Sequence, residues 1–250
     1  MIHYTDPYLI NPQHRITIDL IGLGGTGSQI LNNLARMNHA LCGLGHPGLQ
    51  VCAWDPDTVS ESNIGRQLFS PADLFQNKAH VLVTRVNRYF GTEWQSIGTK
   101  YSPRDFSNIT ITCVDSAAAR ISIGEILNKE LKSTEPYSEK MYWLDLGNLQ
   151  KTGQVVLGTL ASVKQPKLSG GKPALKTVIK LFPQIKKIKE EDQGPSCSLA
   201  EALQKQDLFI NSILAQFGCN LLWKLIREGS IRYHGCFVNL ETLTTNPIKI

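Results

Sequence analysis

No stretch of the chain approaches the roughly 20 consecutive apolar residues that a membrane-spanning helix needs. The N-terminal run MIHYTDPYLINPQH lacks the basic, then apolar, then small-residue order of a secretory signal, so a cytoplasmic protein is expected. Cysteines are few and never two or three residues apart: they stand at 42, 52, 113, 197, 219 and 236. That spacing excludes a C-x-x-C redox motif and a paired zinc knuckle, so no zinc site is expected and most of the thiols read as buried. Acidic residues are missing altogether between Lys164 and Lys189, where eight lysines fall together with Gly170, Gly171 and three prolines. This segment, about 161–190, reads as a solvated loop and the only candidate linker, or else as a landing surface for an acidic partner. It lacks the interleaved aromatics of a single-strand binding groove, so nucleic acid is not the expected partner.

What remains is the composition of a folded enzyme-sized chain. Of 250 residues, 42% are hydrophobic and 19% charged, far from the low hydrophobicity and high charge of disordered chains. The run TIDLIG at 17–22 is a short β-rich segment ending in glycine, and helical spacing of Ile30, Leu31, Leu34, Ala35 and Met37 follows over 28–40. A second strand is predicted over 49–54, a helix over 78–89, a third strand over 109–114 and a helix from Ser116 onward. Two further strands, 141–146 and 154–160, are expected on either side of the turn residues Gly147, Asn148 and Gly153. A long helix over 198–226, broken near Gly218, and a strand over 233–240 complete the reading. Alternating strands and helices imply an α/β, Rossmann-like doubly wound and mostly parallel sheet, with the C-terminal strands joining antiparallel.

The strand that ends at Gly22 leads into Gly24, Gly25 and Gly27 and then a helix from Ser28. Glycines at such a turn let the backbone approach a phosphate whose charge meets the N–H groups of the helix N-terminus. Taken alone the pattern is shared with dinucleotide enzymes and with turns that bind nothing. Asp55, at the end of the second strand, stands where an acid accepts from ribose hydroxyls, although it comes 28 residues after Gly27 rather than the usual roughly 20.

The next residues depart from dinucleotide enzymes. The loop WDPDTVSESNIGRQLF gathers Asp55, Asp57, Ser62, Asn63, Arg66 and Gln67, and Lys78 follows eleven residues later. This run resembles the D-x-D-x-V-x-x-S-N-x-x-R-Q block of the ThiF, MoeB and ubiquitin-activating enzymes, with every fixed position matched. With the glycine turn, Lys78 and the D-x-x-x-x-R of Asp115 and Arg120, the resemblance covers about residues 17–125.

The resemblance implies a single ThiF-type adenylation domain over 1–250 that binds ATP and Mg2+. It would activate the C-terminal carboxylate of a ubiquitin-like or sulfur-carrier-like protein as an acyl-adenylate. Arg66 and Lys78 would neutralise the polyphosphate, Asn63 and Gln67 would donate to its oxygens, Gly25 would lie under the nucleotide, and Asp115 would hold the magnesium. Asp57 is either a further participant or a cap that stabilises the loop. Read singly, Arg66 could be a surface ion pair, Lys78 the polar face of its helix and Asp115 an N-cap. Ser116 replaces the asparagine frequent after the magnesium aspartate, and its hydroxyl can still hydrogen-bond.

Relatives are commonly homodimers in which an N-terminal arginine reaches the partner's ATP; here Arg15, or His14 beside it, is the only nearby candidate. Cys197, in the run GPSCSL before a helix, resembles the thioester cysteine of ubiquitin-activating enzymes, and a packed structural thiol fits it as well. More narrowly, the glycine turn with its long second loop and the SCSLAEAL run are similar to the ThiF-family proteins of the PRTRC system. Two alternatives stand: a small-molecule or tRNA-modifying dehydratase or cyclase of the same superfamily, and an ATP-binding scaffold without turnover.

Overall fold

A computed structural model of the chain describes residues 1–102, 107–133, 141–167, 170–187 and 199–250. In chain order the elements are β1 (His3–Tyr4), α1 (Pro7–Ile10), β2 (Ile16–Ile21), α2 (Gly25–Gly43), β3 (Leu49–Trp54), α3 (Lys78–Phe90), β4 (Gln95–Ile97), β5 (Ile109–Thr112) and α4 (Ala117–Ser133). They continue with β6 (Tyr142–Asn148), β7 (Thr152–Thr159), α5 (Val178–Leu181), α6 (Leu199–Lys205), α7 (Ile210–Arg227), β8 (Ser230–Ile231), β9 (Tyr233–Asn239) and β10 (Thr244–Lys249).

The main sheet has the order β10-β9-β7-β6-β5-β2-β3-β4. Strands β6, β5, β2, β3 and β4 run parallel, while β7, β9 and β10 continue it antiparallel. The predicted α/β class, parallel centre and antiparallel C-terminal strands are all present. Because β2 lies between β3 and β5, the strand order reverses there, and the crevice at the carboxyl ends of β2 and β5 is the topological switch point where such sheets hold ligands.

Both faces of the sheet are covered, which explains why its central strands are nearly continuous apolar runs. Alternate residues enter opposite cores: Leu20, Ala53 and Leu144 pack on the side of α2, α3 and α7, while Ile21, Trp54 and Trp143 pack on the side of α4 and α5. Helix α2 buries Ile30, Leu31, Leu34 and Ala35, each at 1% exposure or less. Helix α3 starts at Asn77, whose side chain accepts from His80 N–H at 3.1 Å, and stops at Gly91 in the left-handed region.

Three readings of the C-terminal half need correction. Gly147, Asn148 and Gly153 are not turn residues: they lie inside β6 and β7, with Asn148 opposite Gly153. Glycine is wanted at 153 because a β-carbon there would stand 2.5 Å from Leu214 Cδ1. Nor does the long helix break at Gly218, which sits within α7 where Leu146 Cδ2 would be 3.0 Å from a β-carbon. The interruption falls instead between α6 and α7, where the Asp207 side chain accepts from Phe209 N–H at 2.8 Å. The lysine-rich segment is not a free linker in its described part. Val163 N–H donates to Pro173 O, Thr159 N–H to Leu175 O and Lys172 N–H to Ile2 O, and Leu175 and Val178 are buried. Its lysines at 164, 167, 172, 176, 180 and 186 remain exposed.

A buried ion pair fixes the middle of β6 to the start of α4. Arg120 Nε donates to Asp145 Oδ1 at 2.7 Å, Thr112 Oγ1 donates to the same oxygen at 2.6 Å, and Arg120 Nη2 reaches Val114 O at 2.8 Å. Removing one member of such a pair strands a charge in the interior, so Arg120→Met is expected to cost about 3–5 kcal/mol, measured by urea unfolding. A loss under about 1 kcal/mol would mean that water already reaches Asp145.

Candidate functional site at the switch point

Strand β2 ends at the tightest part of the structure. Gly22 has φ +86°, and a β-carbon on it would stand 2.8 Å from Cys113 O; one on Gly27 would stand 1.7 Å from Gly22 O. These two glycines let the chain fold back on itself between neighbouring strands. A β-carbon on Gly25 would meet Asn211 Nδ2 at 2.4 Å, so its bare α-carbon makes room for a side chain of α7. Gly24 differs from all three, with its nearest neighbour, Gln67 Nε2, at an ordinary 3.8 Å. Gly24 is also the N-cap of α2, and the first N–H groups of that helix have no intrahelical acceptor. The turn therefore ends in donors with a helix dipole behind them, the local electrostatics of an anion site.

Asp55 holds the turn in this shape. Its carboxylate is 4% exposed and accepts from Leu23 N–H through Oδ2 at 2.5 Å and from Asp57 N–H through Oδ1 at 2.9 Å. Burial pushes its pKa up, against the pull of those N–H groups and of Lys78. Asp55 thus ties the carboxyl ends of β2 and β3 together, in addition to any ligand role.

Lys78 opens α3 with its side chain almost buried, and its Nζ lies 3.0 Å from Asp57 Oδ2. The backbone repeats the connection, since Lys78 N–H donates to Asp57 O and Asn77 Nδ2 donates to Asp55 O and Asp57 O. Lys78 is therefore not part of a solvated helix face, and Asp57 holds its charge beside Asp55.

Ser62 and Asn63 are buried in a short 3-10 turn, Glu61–Asn63. Asn63 Oδ1 accepts from Ser60 N–H at 3.0 Å, which aligns the amide, and Ser62 Oγ lies 3.0 Å from Ser60 Oγ. Gln67 is 7% exposed, and its Oε1 is buried without a partner among the described residues. Arg66 is half-buried, and desolvation lowers its pKa. Its Nη1 donates to Gln206 Oε1 at 2.5 Å, and its Nε is buried without a partner among the described residues. No acid pairs with Arg66 among the described residues, so the surface ion-pair reading of that residue does not apply.

Asp115 stands beyond the carboxyl end of β5, on the strand adjacent to β2, and is exposed with no hydrogen-bond or ion-pair partner among the described residues. It does not cap α4. That role falls to Ser116, whose Oγ accepts from Ala119 N–H at 3.0 Å. Arg15 lies at the opposite, amino edge of the sheet beside the start of β2, with Nη1 3.1 Å from Gln50 Oε1. Cys197 lies outside the described residues.

Three polar residues that the sequence pattern does not single out join this group. Asn211 is 3% exposed; its Oδ1 accepts from Thr26 Oγ1 at 2.8 Å and its Nδ2 donates to Gln206 Oε1 at 2.9 Å. The available signal was an asparagine between the apolar Ile210 and Ile213 of α7, whereas Gln206 carries none.

The sequence model of the ThiF family matches residues 13–244, nearly the whole chain. This chain belongs to the ThiF family. A search of the curated proteins found no match. Among solved structures, the ThiF-family fold described above is similar to PaaA (TM-score 0.61, 16% identity), over 94% of this chain and 64% of that one. It is also similar to E. coli MccB solved with ATP (TM-score 0.59, 14% identity), over 97% of this chain and 66% of that one. A third is E. coli MccB with MccA (TM-score 0.58, 14% identity), over 96% of this chain and 64% of that one. The ThiF-family chain thus spans about two thirds of the length of these structures. No described helix is long and apolar enough to cross a membrane. Among the described residues no group of three or more His, Cys, Asp or Glu could hold a metal ion.

Two consequences follow for the turn. Gly27→Ala should lower stability by about 1–3 kcal/mol in chemical unfolding, because the new carbon overlaps the Gly22 carbonyl. A raised Asp55 pKa means that its neutral form is favoured by folding, so its contribution is full below the usual 3.8 and falls as pH rises through the folded value. The stability of the protein relative to Asp55→Asn should therefore decline from acid toward neutral pH. A difference that is flat in urea titrations across that range would contradict the burial of this carboxyl.

Proposed function

We propose that this ThiF-family chain is an ATP-dependent adenylyltransferase that activates a carboxylate at the end of a ubiquitin-like or sulfur-carrier-like polypeptide. The observation that carries the reading is the meeting, at one switch point, of an N–H-lined glycine turn, an almost buried lysine and a half-buried arginine free of any acid among the described residues. The partnerless Nε–H of Arg66 is a buried donor suited to a phosphate oxygen.

The chemistry asks for little more. An ionised carboxylate attacks the α-phosphorus of ATP, a C–O–P linkage forms, and the bond to pyrophosphate breaks with its electron pair leaving on that group. No proton moves, so cations and positioned donors supply the catalysis rather than a base. Arg66 and Lys78 oppose the polyphosphate charge, with Asn63 and Gln67 as donors, and Ser62 and Asn63 held in their turn. The donors of α2 face the phosphates, and Asp55 and Asp57 hold that frame. Magnesium usually takes one or two carboxylates plus phosphate oxygens, so the single exposed Asp115 fits it, with Ser116 beside it. The solved MccB complexes with ATP and with MccA support a nucleotide and a polypeptide as the two substrates.

Within the family we favour the PRTRC-type reading, with a homodimer as the working unit. In this scheme the Cys197 thiolate attacks the acyl carbonyl of the adenylate, a C–S bond forms, and the C–O bond to AMP breaks with AMP leaving; the adenylate alone is the product if Cys197 is a structural thiol.

ATP–pyrophosphate exchange tests the reading. Exchange should require a polypeptide acceptor with a free C-terminal carboxylate. Arg66→Ala and Lys78→Ala should each lower it by about 100-fold, in line with the loss of a transition-state donor. Asp115→Ala should abolish magnesium-dependent exchange, with the fold intact by circular dichroism. Full exchange in these variants would mean that the chemistry lies elsewhere, and ATP binding without exchange would favour a scaffold.

A further inference from the structure

Gln206 Oε1 is the end point of two hydrogen bonds that approach from opposite sides of the site. Arg66 Nη1 donates to it at 2.5 Å and Asn211 Nδ2 at 2.9 Å. Asn211 in turn accepts from Thr26 Oγ1 in the first turn of α2, at 2.8 Å. The sequence separations are large, 140 residues between Arg66 and Gln206 and 185 between Thr26 and Asn211, so this is a contact made by folding rather than by local chain geometry. The donors converge on the Gln206 side-chain oxygen, Thr26 to Asn211 to Gln206 from one end and Arg66 to Gln206 from the other. The Asn211 amide orientation is fixed by its two different partners, and Gly25 lacks a β-carbon where that amide packs.

We propose that Gln206 and Asn211 are positioning residues of the nucleotide site, which aim the Arg66 guanidinium and brace the N-terminus of α2 from the C-terminal half of the chain; this rests on the adenylating reading above. A neutral amide oxygen suits that task. It orients the guanidinium through one N–H and leaves its charge uncancelled, so the remaining donors stay available to phosphate. A carboxylate at the same position would form a charge-assisted pair, hold the guanidinium on the α6 side and place a negative charge beside the polyphosphate. An alanine would merely release it. The order of effect therefore runs opposite to that of a structural residue, for which the isosteric change is the milder one.

Titration calorimetry with a magnesium complex of a non-hydrolysable ATP analogue reads this out, with circular dichroism and thermal melts on each variant. Gln206→Ala should weaken binding by about tenfold, the scale of a hydrogen bond to a charged group. Gln206→Glu should weaken it further, with its melting temperature unchanged or raised. The double variant Arg66→Ala with Gln206→Ala should bind no worse than Arg66→Ala alone, because both act through one guanidinium. Asn211→Asp, which places two oxygens face to face with Gln206, should match Gln206→Ala. If Glu is tolerated better than Ala, or if the losses of Arg66→Ala and Gln206→Ala add, the positioning role is overturned while the adenylating reading stands. If the unaltered chain binds no nucleotide, both fall together.

Discussion

The Asp55 carboxylate is the constraint on which the rest of the site depends. By accepting Leu23 N–H with one oxygen and Asp57 N–H with the other, it locks the two loops that leave β2 and β3 into a single rigid corner. Lys78 then follows, because its ammonium pairs with Asp57 and its amide donates to the Asp57 carbonyl. Asn77 completes the corner by donating to the carbonyls of both aspartates and accepting from His80 at the start of α3. A buried, desolvated acid is costly, yet its cost is shared by two N–H groups and a nearby lysine. The result is a cation held beside a row of helix N-terminal donors without being cancelled by the deeper of the two acids.

The parallel part of the fold, apart from the short edge strand β4, which is not read from the sequence, is legible because its elements carry strong local signals. Strand β3 matches its predicted bounds, 49–54, since it is an apolar run closed by Asp55, and α3 is bracketed by Asn77 and Gly91, which cap it. The C-terminal half is less legible for a physical reason. Glycine there answers to tertiary packing rather than to turns, as at Gly153 under Leu214 and Gly218 under Leu146. Strand β10 has the sequence TTNPIK, polar and interrupted by proline, and owes its conformation to pairing with β9.

The site divides in the same way. Asp55, Asp57, Asn63, Arg66, Gln67 and Lys78 lie close together in sequence, so a motif can find them. Asn211 and Gln206 reach the same place from the end of the chain, and a motif cannot. Arg120 is an intermediate case. Its spacing from Asp115 was visible, but its partner Asp145 lies on β6 and turns it toward the interior. Its observed work is to anchor α4, and so to set the angle at which the loop with Asp115 leaves β5.

This division has a consequence for how the site is assembled. The first 125 residues contain the whole recognisable motif, yet the wall opposite Gly25 is Asn211 and the acceptor for Arg66 is Gln206, both beyond β7. Helix α7 can come that close because Gly153, Gly218 and Gly25 remove β-carbons along its path. Small residues on three separate elements therefore serve one end, the seating of α7 against α2 and the sheet. The glycine turn that looks like a device for admitting phosphate is in equal part a device for admitting a helix. Of its four glycines, Gly22, Gly25 and Gly27 have no room for a β-carbon against the protein's own atoms, which leaves Gly24 as the one where a β-carbon would make only ordinary van der Waals contact, with Gln67.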